Sequence, residues 1–423
     1  IEQIDPYNFC GGEYNWRASV DPRGGTPGEL NSVDDENPND TSPNLLRAGV
    51  DDPSNITLVF SEPMDENSLL STDDYELDNG IGNPVDVSPV EPDFQKVRLQ
   101  LASPLQEGTI YNVTVATTLA DCAGNTISKN TAKVAIPEKA DSLDVVINEL
   151  LSNAPADVPR YIELYNNSQK VIELLNYRIS SKDTVENILT SIREITNESF
   201  LFFPGEYIVL TTNSTAVKEY YPYNNPYSFI DIETMPSMTN SNGIVAFSHK
   251  SMEIIDMVVY NEDWQYALLT DPKGVALERL NPSRPTQDSS NWHSAAEEYG
   301  FGTPGMKNSQ YTDNIDTQED VISVYPEIFS PDNDGVDDVL NIAYEFDEPG
   351  YTANITIYDD KGRPVRTLAR SMLLATKGVI TWDGTKDDNQ KAYIGIYIVH
   401  VEVFDTKGNV KHYKKPAVLA GRL

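Results

Sequence analysis

One stretch occurs twice in this 423-residue chain, and it constrains the architecture more than any other feature. Asn15-Trp16-Arg17-Ala18-Ser19 runs on to Gly25-Thr26-Pro27-Gly28 and Asn31-Ser32. Far downstream, Asn291-Trp292-His293-Ser294-Ala295 runs on to Gly302-Thr303-Pro304-Gly305 and Asn308-Ser309. The parallel reaches backwards, from Glu2-Gln3-Ile4-Asp5-Pro6 to Glu278-Arg279-Leu280-Asn281-Pro282. The offset is 276 between Trp16 and Trp292 and 277 between Gly25 and Gly302, so one inserted residue separates the copies. A repeat at fixed spacing marks a repeated structural unit. Residues 1 to 32 therefore read as the end of a domain whose complete copy closes near Ser309, and the chain is expected to begin inside a domain.

Between and after the copies, apolar residues fall in short alternating runs bounded by Asn, Asp, Gly and Pro. Val97, Leu99 and Leu101 alternate with Arg98 and Gln100; Tyr111, Val113 and Val115 follow the Glu107-Gly108 turn; Ile355 and Ile357 alternate with Thr356 and Tyr358 before an Asp360-Lys361-Gly362 turn. Period-two alternation places one set of side chains on one face of a strand. Many short strands with regular turn punctuation predict an all-β chain, a string of Ig-like antiparallel β-sandwich domains.

Charge narrows the function classes. With 31 Lys and Arg against 66 Asp and Glu, the net charge is −35. Nucleic-acid grooves need clustered cations, so nucleic acid is excluded as a partner, and an anionic membrane surface would repel the chain. No apolar run reaches the ~18 residues of a spanning helix. Cys10 and Cys122 are an even pair, compatible with one disulfide in an oxidising compartment, but two cysteines do not make a framework.

Four segments emerge. Residues 1–35 lack a core of their own and are expected to dock on a neighbour or on the missing remainder of their domain. Asp34 to Pro43 is a polar, Pro-punctuated linker that leads into the second segment, 36–139, where a sandwich follows. There Phe60-Ser61-Glu62-Pro63-Met64-Asp65, the Pro-Leu-Gln-Glu-Gly-Thr-Ile-Tyr of 104–111 and Asp121-Cys122-Ala123-Gly124-Asn125 resemble the bacterial Ig-like modules of surface-layer and secreted proteins. That resemblance implies a spacer or adhesive module. Across 140–315, Ile147-Asn148-Glu149-Leu150, Tyr161-Ile162-Glu163-Leu164-Tyr165-Asn166, Gly205-Glu206-Tyr207, Ala276-Leu277-Glu278-Arg279 and the second copy of the repeat resemble the bacterial lamin-tail domain, an Ig-like sandwich. Residues 1–35 are then similar to the last strands of a preceding lamin-tail domain. Glu149 and Glu163 are expected to accept turn N–H groups or an Arg, and Trp292 to plug the sandwich end. The segment 183–199 is expected to be an insertion loop or short helix, and Ala216 to Tyr220 a turn or two of helix. Asn308 to Asp320 is expected to be a second linker.

In the fourth segment, 316–423, Phe329-Ser330-Pro331-Asp332-Asn333-Asp334-Gly335-Val336-Asp337-Asp338, Gly362-Arg363-Pro364-Val365, Trp382-Asp383-Gly384 and Gly395-Ile396-Tyr397 resemble C-terminal sorting domains of the Bacteroidota type IX secretion system, and the Ig-like domain of flagellar hook-capping proteins. The resemblance implies export across the outer membrane, display at the cell surface, and the system's outer-membrane shuttle barrel or translocon as partner. The ending Val418-Leu419-Ala420-Gly421-Arg422-Leu423 matches the family's apolar final strand with a basic tip.

Candidate chemistry is sparse. Asp-x-Asp-x-Asp-Gly calcium loops place oxygens at alternate positions around a glycine. Aligned on Gly335, the ligands would be Ser330, Asp332, Asp334 and Asp338; the first is not an acid and the twelfth position is Asn341 instead of Glu. A solvated Asx-turn loop is the alternative, so calcium is the one cofactor contemplated. His249, His293, His400 and His412 show no local metal spacing, and there is no Gly-x-Ser-x-Gly elbow or phosphate-cradling glycine loop. No catalytic residue is therefore assigned. The expectation is a non-catalytic surface protein of the type IX pathway, serving as stalk, adhesin or scaffold. The alternatives are a resident subunit of the translocon, or the accessory region of a hydrolase whose catalytic domain lies upstream. Asp141-Ser142-Leu143 and Asp183-Thr184-Val185 resemble Bacteroidota O-glycosylation sites.

Overall fold

The computed structural model describes residues 1–8, 11–312, 321–346, 350–405 and 408–421. The chain is all-β, as the alternating runs predict, and its contacts divide into two compact units. The first holds residues 1–139 with two later segments, 170–175 and 196–203; the second holds 140–169, 176–195 and 204–423.

In the first unit, a four-stranded antiparallel sheet runs in the order Leu45–Asp52, Asn55–Phe60, Lys96–Gln100, Asp86–Val90. A three-stranded sheet of Tyr75–Leu77, Tyr111–Val115 and Thr131–Val134 closes the sandwich. Ile56, Leu58, Phe60, Val97, Leu99, Val113 and Val115 are the inward members of their alternations and are buried in one core. Each such side chain contributes roughly 1.5–3 kcal/mol relative to exposure. Val171, Leu201 and Phe203 join the same core, which is why residues 170–175 and 196–203 belong to this unit and not to the sandwich that surrounds them in sequence. Glu198 strengthens the attachment through ion pairs with Arg47, at 3.0 Å, and with Lys96.

Among the described residues of 1–35, the strand pairing is the two-residue ladder of Glu2–Gln3 with Trp16–Arg17. The expected linker after them is stitched down: Asp35 N–H donates to the Ile4 carbonyl, Asn39 Nδ2 donates to Glu62 and Asp121, and Asn125 Nδ2 donates to the Asn39 carbonyl.

In the second unit, a six-stranded sheet runs Phe229–Asp231, Tyr207–Thr211, Tyr161–Asn166, Val145–Leu151, Leu277–Arg279, Trp292–Ser294. A four-stranded sheet of Ile188–Glu194, Tyr177–Asp183, Asn242–His249 and Ile254–Asn261 accompanies it. The expected insertion loop or helix at 183–199 is a correction: Ile188–Glu194 pairs antiparallel with Tyr177–Asp183 as a hairpin, and its residues are half-buried or exposed, so polarity alone concealed a strand. The expected helix is present as Ser214–Tyr220, capped by Asn213, whose side chain accepts from the Ala216 N–H.

The same unit continues through a C-terminal sandwich. Its three-stranded sheet is Ile322–Tyr325, Leu340–Glu345, Lys377–Trp382; its five-stranded sheet is Ile328–Phe329, Val410–Leu419, Gly395–Phe404, Thr352–Asp359, Pro364–Leu373. Trp382, Phe329, Ile355, Ile357, Val399 and Val401 fill the space between them. Asn308 to Tyr311, expected to begin a linker, pack instead: Asn308 and Gln310 are buried. The rest of that linker from residue 313, and the basic tip at Arg422, lie outside the described residues.

Candidate functional site

The repeated stretch is a carboxylate anchor built twice. Glu2 accepts Thr26 Oγ1 at 2.7 Å and both the N–H and hydroxyl of Ser32 at 2.7 and 2.6 Å. Glu278 accepts Thr303 Oγ1 and Ser309 Oγ at 2.8 Å each and the Gln310 N–H at 2.9 Å. Asn15 bridges Asp5 and Asn8 as Asn291 bridges Asn281 and Arg284. Asn31 donates to the Gln3 carbonyl as Asn308 donates to the Arg279 carbonyl. In both copies, one strand carboxylate holds the Thr of the Gly-Thr-Pro-Gly loop, and two asparagines tie the flanking segments together.

The second copy has two carboxylates more. Glu163, Glu149 and Glu278 occupy directly paired positions on three neighbouring strands, so the row crosses the sheet at right angles. A bulge between Ile147 and Glu149 leaves Asn148 outside the ladder, where its Nδ2 reaches Glu163 and Asn308, 2.7 Å each. Glu149 accepts from Tyr161 OH and from the Thr303 N–H, and Glu163 accepts from the Gly305 N–H at 2.6 Å. The expectation that both glutamates accept turn N–H groups is met. Gly302 and Gly305 permit the approach. A Cβ at Gly302 would lie 2.6 Å from the Tyr221 ring, and Gly305 holds φ +83 with Ser228 and Asn225 against it.

All three glutamates have zero exposure. Ionised like charges directly opposite each other are destabilising. Burial first, then the Glu278 charge, pushes Glu149 up to about 8; burial also raises Glu163 and Glu278. Thr303 Oγ1 lies 2.8 Å from Glu278 and 3.3 Å from Glu149, but a hydroxyl carries one hydrogen. Both contacts are hydrogen bonds when a carboxyl proton supplies the other. Glu2 is the opposite case: with Ser32 and Thr26 donating to it, its pKa falls to about 2. Beside the row, the buried Arg279 donates to the Ile147 and Arg284 carbonyls and to Thr286, faces Asp256 at 3.5 Å, and lies 5.8 Å from the Trp292 ring. Burial lowers its pKa to about 10. Trp292 is buried as expected and donates Nε1–H to the Thr286 carbonyl. Sealed from solvent, the row acts as a structural staple.

The acidic loop behaves differently from a simple calcium loop. Asp338 is its organiser: Oδ1 accepts from the Asp332 and Asn333 N–H groups, and Oδ2 from the Gly335 N–H and Gln310 Nε2. Asp334 accepts from the Val336 N–H, an Asx turn, and Ser330 N–H donates to the Asp337 carbonyl. Asp332, Asp334 and Asp338 each offer an oxygen within 4.8 Å of the others, so three of the four expected ligands converge and could hold a hard cation. The loop also docks. Asn333 Nδ2 donates to the Ala295 carbonyl, and the Glu297 N–H donates back to the Asn333 carbonyl. Tyr266 OH donates to the Pro331 carbonyl, Arg284 to Val379, and Thr381 to Ser290. These bonds explain why 204–421 is one unit.

Cys122 is disulfide-bonded, in the loop whose Asp121 accepts from Ala123 and Asn125; Cys10, the expected other half, lies outside the described residues. Sequence reasoning missed one constellation. His400 and His412, 12 residues apart, meet across the final hairpin beside Glu402. The signal was the Asp405 to Gly408 turn, whose register brings these strands together.

On the same sheet Ile328, Val418 and Ile396 are successive cross-strand neighbours. Ile328 and Ile396 are more than half exposed, and so are Tyr393 and Ile394 beside them.

Residues 37–135 match the family model of a bacterial Ig-like domain. No curated protein matches the chain. Among solved structures, the N-terminal part of the bacterial S-layer protein SbsC is similar at 13% identity, over 52% of this chain and 44% of that one, with a TM-score of 0.21. Dimeric latent PorU from Porphyromonas gingivalis is similar at 10% identity, over 90% of this chain and 34% of that one, with a TM-score of 0.20. A DUF4876 family protein from Bacteroides thetaiotaomicron is similar at 14% identity, over 43% and 63%, with a TM-score of 0.18. Likenesses this distant carry no functional argument, and the chain spans less than half of the first two structures. What is secure is an all-β chain that carries a bacterial Ig-like domain at 37–135.

Proposed function

We propose that this is a non-catalytic secreted or cell-surface protein of the type IX secretion pathway. Its C-terminal sandwich engages the outer-membrane shuttle barrel, and the upstream modules serve as stalk, adhesin or scaffold. The observation that carries the reading is the sorting-like motif set, from Phe329-Ser330-Pro331-Asp332 to Gly395-Ile396-Tyr397, carried on one Ig-like sandwich. An exposed apolar stripe of Ile328, Ile394 and Ile396 on that unit is a surface suited to a partner. A pull-down of intact protein from envelope membranes tests the partner. A stoichiometric outer-membrane barrel is expected, lost in an Ile394→Asp, Ile396→Asp double variant; recovery without any barrel would overturn the reading.

The polar docking of 330–338 onto 295–310 favours a second reading, in which the C-terminal sandwich stays attached after export and the protein resides in the machinery. Intact mass of surface-extracted protein separates the two. Retention of 321–423 supports residence, and its loss supports released cargo.

A further inference from the structure

Antiparallel pairing of Gly395–Phe404 with Val410–Leu419 sets Glu402 opposite His412, and His400 opposite Lys414, on the outer face of the five-stranded sheet. His412 Nδ1 lies 3.3 Å from His400 Nε2 and 3.6 Å from Glu402 Oε1. All three ligand atoms fall within 4.8 Å of one another, and the imidazole planes are 2° from parallel. Two donors bound at ~2.0–2.1 Å to one tetrahedral ion stand roughly 3.3–3.4 Å apart, close to the spacing here. At 3.3 Å the two ring nitrogens also suit a long hydrogen bond to each other, which keeps them together without an ion.

The surroundings hold these groups in place. Asn354 Nδ2 donates to Glu402 Oε2 at 3.2 Å, leaving Oε1 towards His412. The Tyr358 ring meets His400 edge-on with centroids 6.0 Å apart. A hydrogen-bonded outer partner is how ligands of metal sites are commonly oriented. Lys414 is the opposing group, a cation beside His400 that weakens binding of another cation.

We propose that His400, His412 and Glu402 form a surface site for a divalent transition cation, zinc(II) by preference, with solvent completing the shell. Imidazole nitrogen with carboxylate oxygen suits zinc, copper and nickel, whereas calcium requires six or more oxygens. Bound there, the ion clips the last two long strands of the C-terminal sandwich together.

The test is isothermal titration of untagged, chelator-stripped full-length chain with zinc chloride, and with calcium chloride in parallel. The chain's many carboxylates give weak background binding, so the comparison is with a His400→Ala, His412→Ala double variant; both residues are on the sheet exterior, and circular dichroism verifies the fold. One zinc equivalent of micromolar affinity is expected in the parent and absent in the double variant. Asn354→Ala is expected to weaken it ~10-fold. Equal zinc binding by parent and double variant, or none by the parent, overturns the proposal.

Discussion

Raising the pH across the neutral range should weaken the unit that buries Glu149, Glu163 and Glu278. Glu149's folded pKa of about 8 lies above the carboxyl's ordinary 4.5. Between the two values the native state binds the extra proton, so stability falls as pH rises through that window. The proton is present in both states below the window and absent from both above it, so the effect is confined there. Taken alone, Glu149 loses at most about 5 kcal/mol at 1.36 kcal/mol per unit. Glu163 and Glu278, also raised, act in the same direction. Glu149→Gln keeps the shape, lets Tyr161 and Thr303 N–H still donate, and removes the titration. Urea unfolding followed by tryptophan fluorescence, with Trp292 beside the row as reporter, measures both proteins at intervals from about pH 5 to 9. The parent's transition for this unit should move to lower urea as pH rises, and the glutamine variant should show a shallower slope and greater stability at high pH. A parent transition that is flat or rises over this window, or a variant with the parent's slope, would refute the reasoning.

Arg279→Met should destabilise the same unit by about 3–5 kcal/mol, because Asp256 would be left buried without its cation; denaturant midpoints check this. Thr303→Val removes a donor shared by Glu149 and Glu278 and should cost roughly 1–3 kcal/mol in the same assay. Asp338→Ala strips the acceptor of three loop N–H groups and of Gln310, so limited proteolysis should cut within 330–338 faster than in the parent. Glu2, held at about 2 by its hydroxyl and amide donors, gives the mirror image of Glu149: its contribution is present above 4.5 and is lost as pH falls towards 2. Hydrogen exchange at the Ser32 amide, corrected for intrinsic rate, should lose protection in that acid window.

Alternation and turn residues were enough to read the strands, because each inward residue of Lys96–Gln100 or Tyr111–Val115 is hydrophobic and each outward one polar. The hairpin at 188–194 escaped because neither face is well buried, so no hydrophobic period marks it. Residues 170–175 and 196–203 join the first unit through Val171, Leu201, Phe203 and Glu198; Glu198 pairs with Arg47 and Lys96, more than a hundred positions away, and nothing local betrays that. The repeat set Glu278, Thr303 and Ser309 in register with Glu2, Thr26 and Ser32, but the hydrogen bonds that make them an anchor show only in the fold. The carboxylate row did not show, since Glu149 and Glu163 meet Glu278 only through strand order and a bulge. The acidic loop's carboxylates were found from spacing, but the commitment of Asp338 to backbone amides depends on the folded turn.

The most direct test of the central claim is localisation of the protein lacking residues 321–423 beside the full chain, by antibody labelling of intact cells and by fractionation. The account predicts surface labelling of the full chain and periplasmic retention of the truncated one. The truncation also uncovers the 266–310 surface, so the Ile394→Asp, Ile396→Asp variant is run alongside and should likewise fail to reach the surface. Normal surface display of both altered proteins would contradict the account.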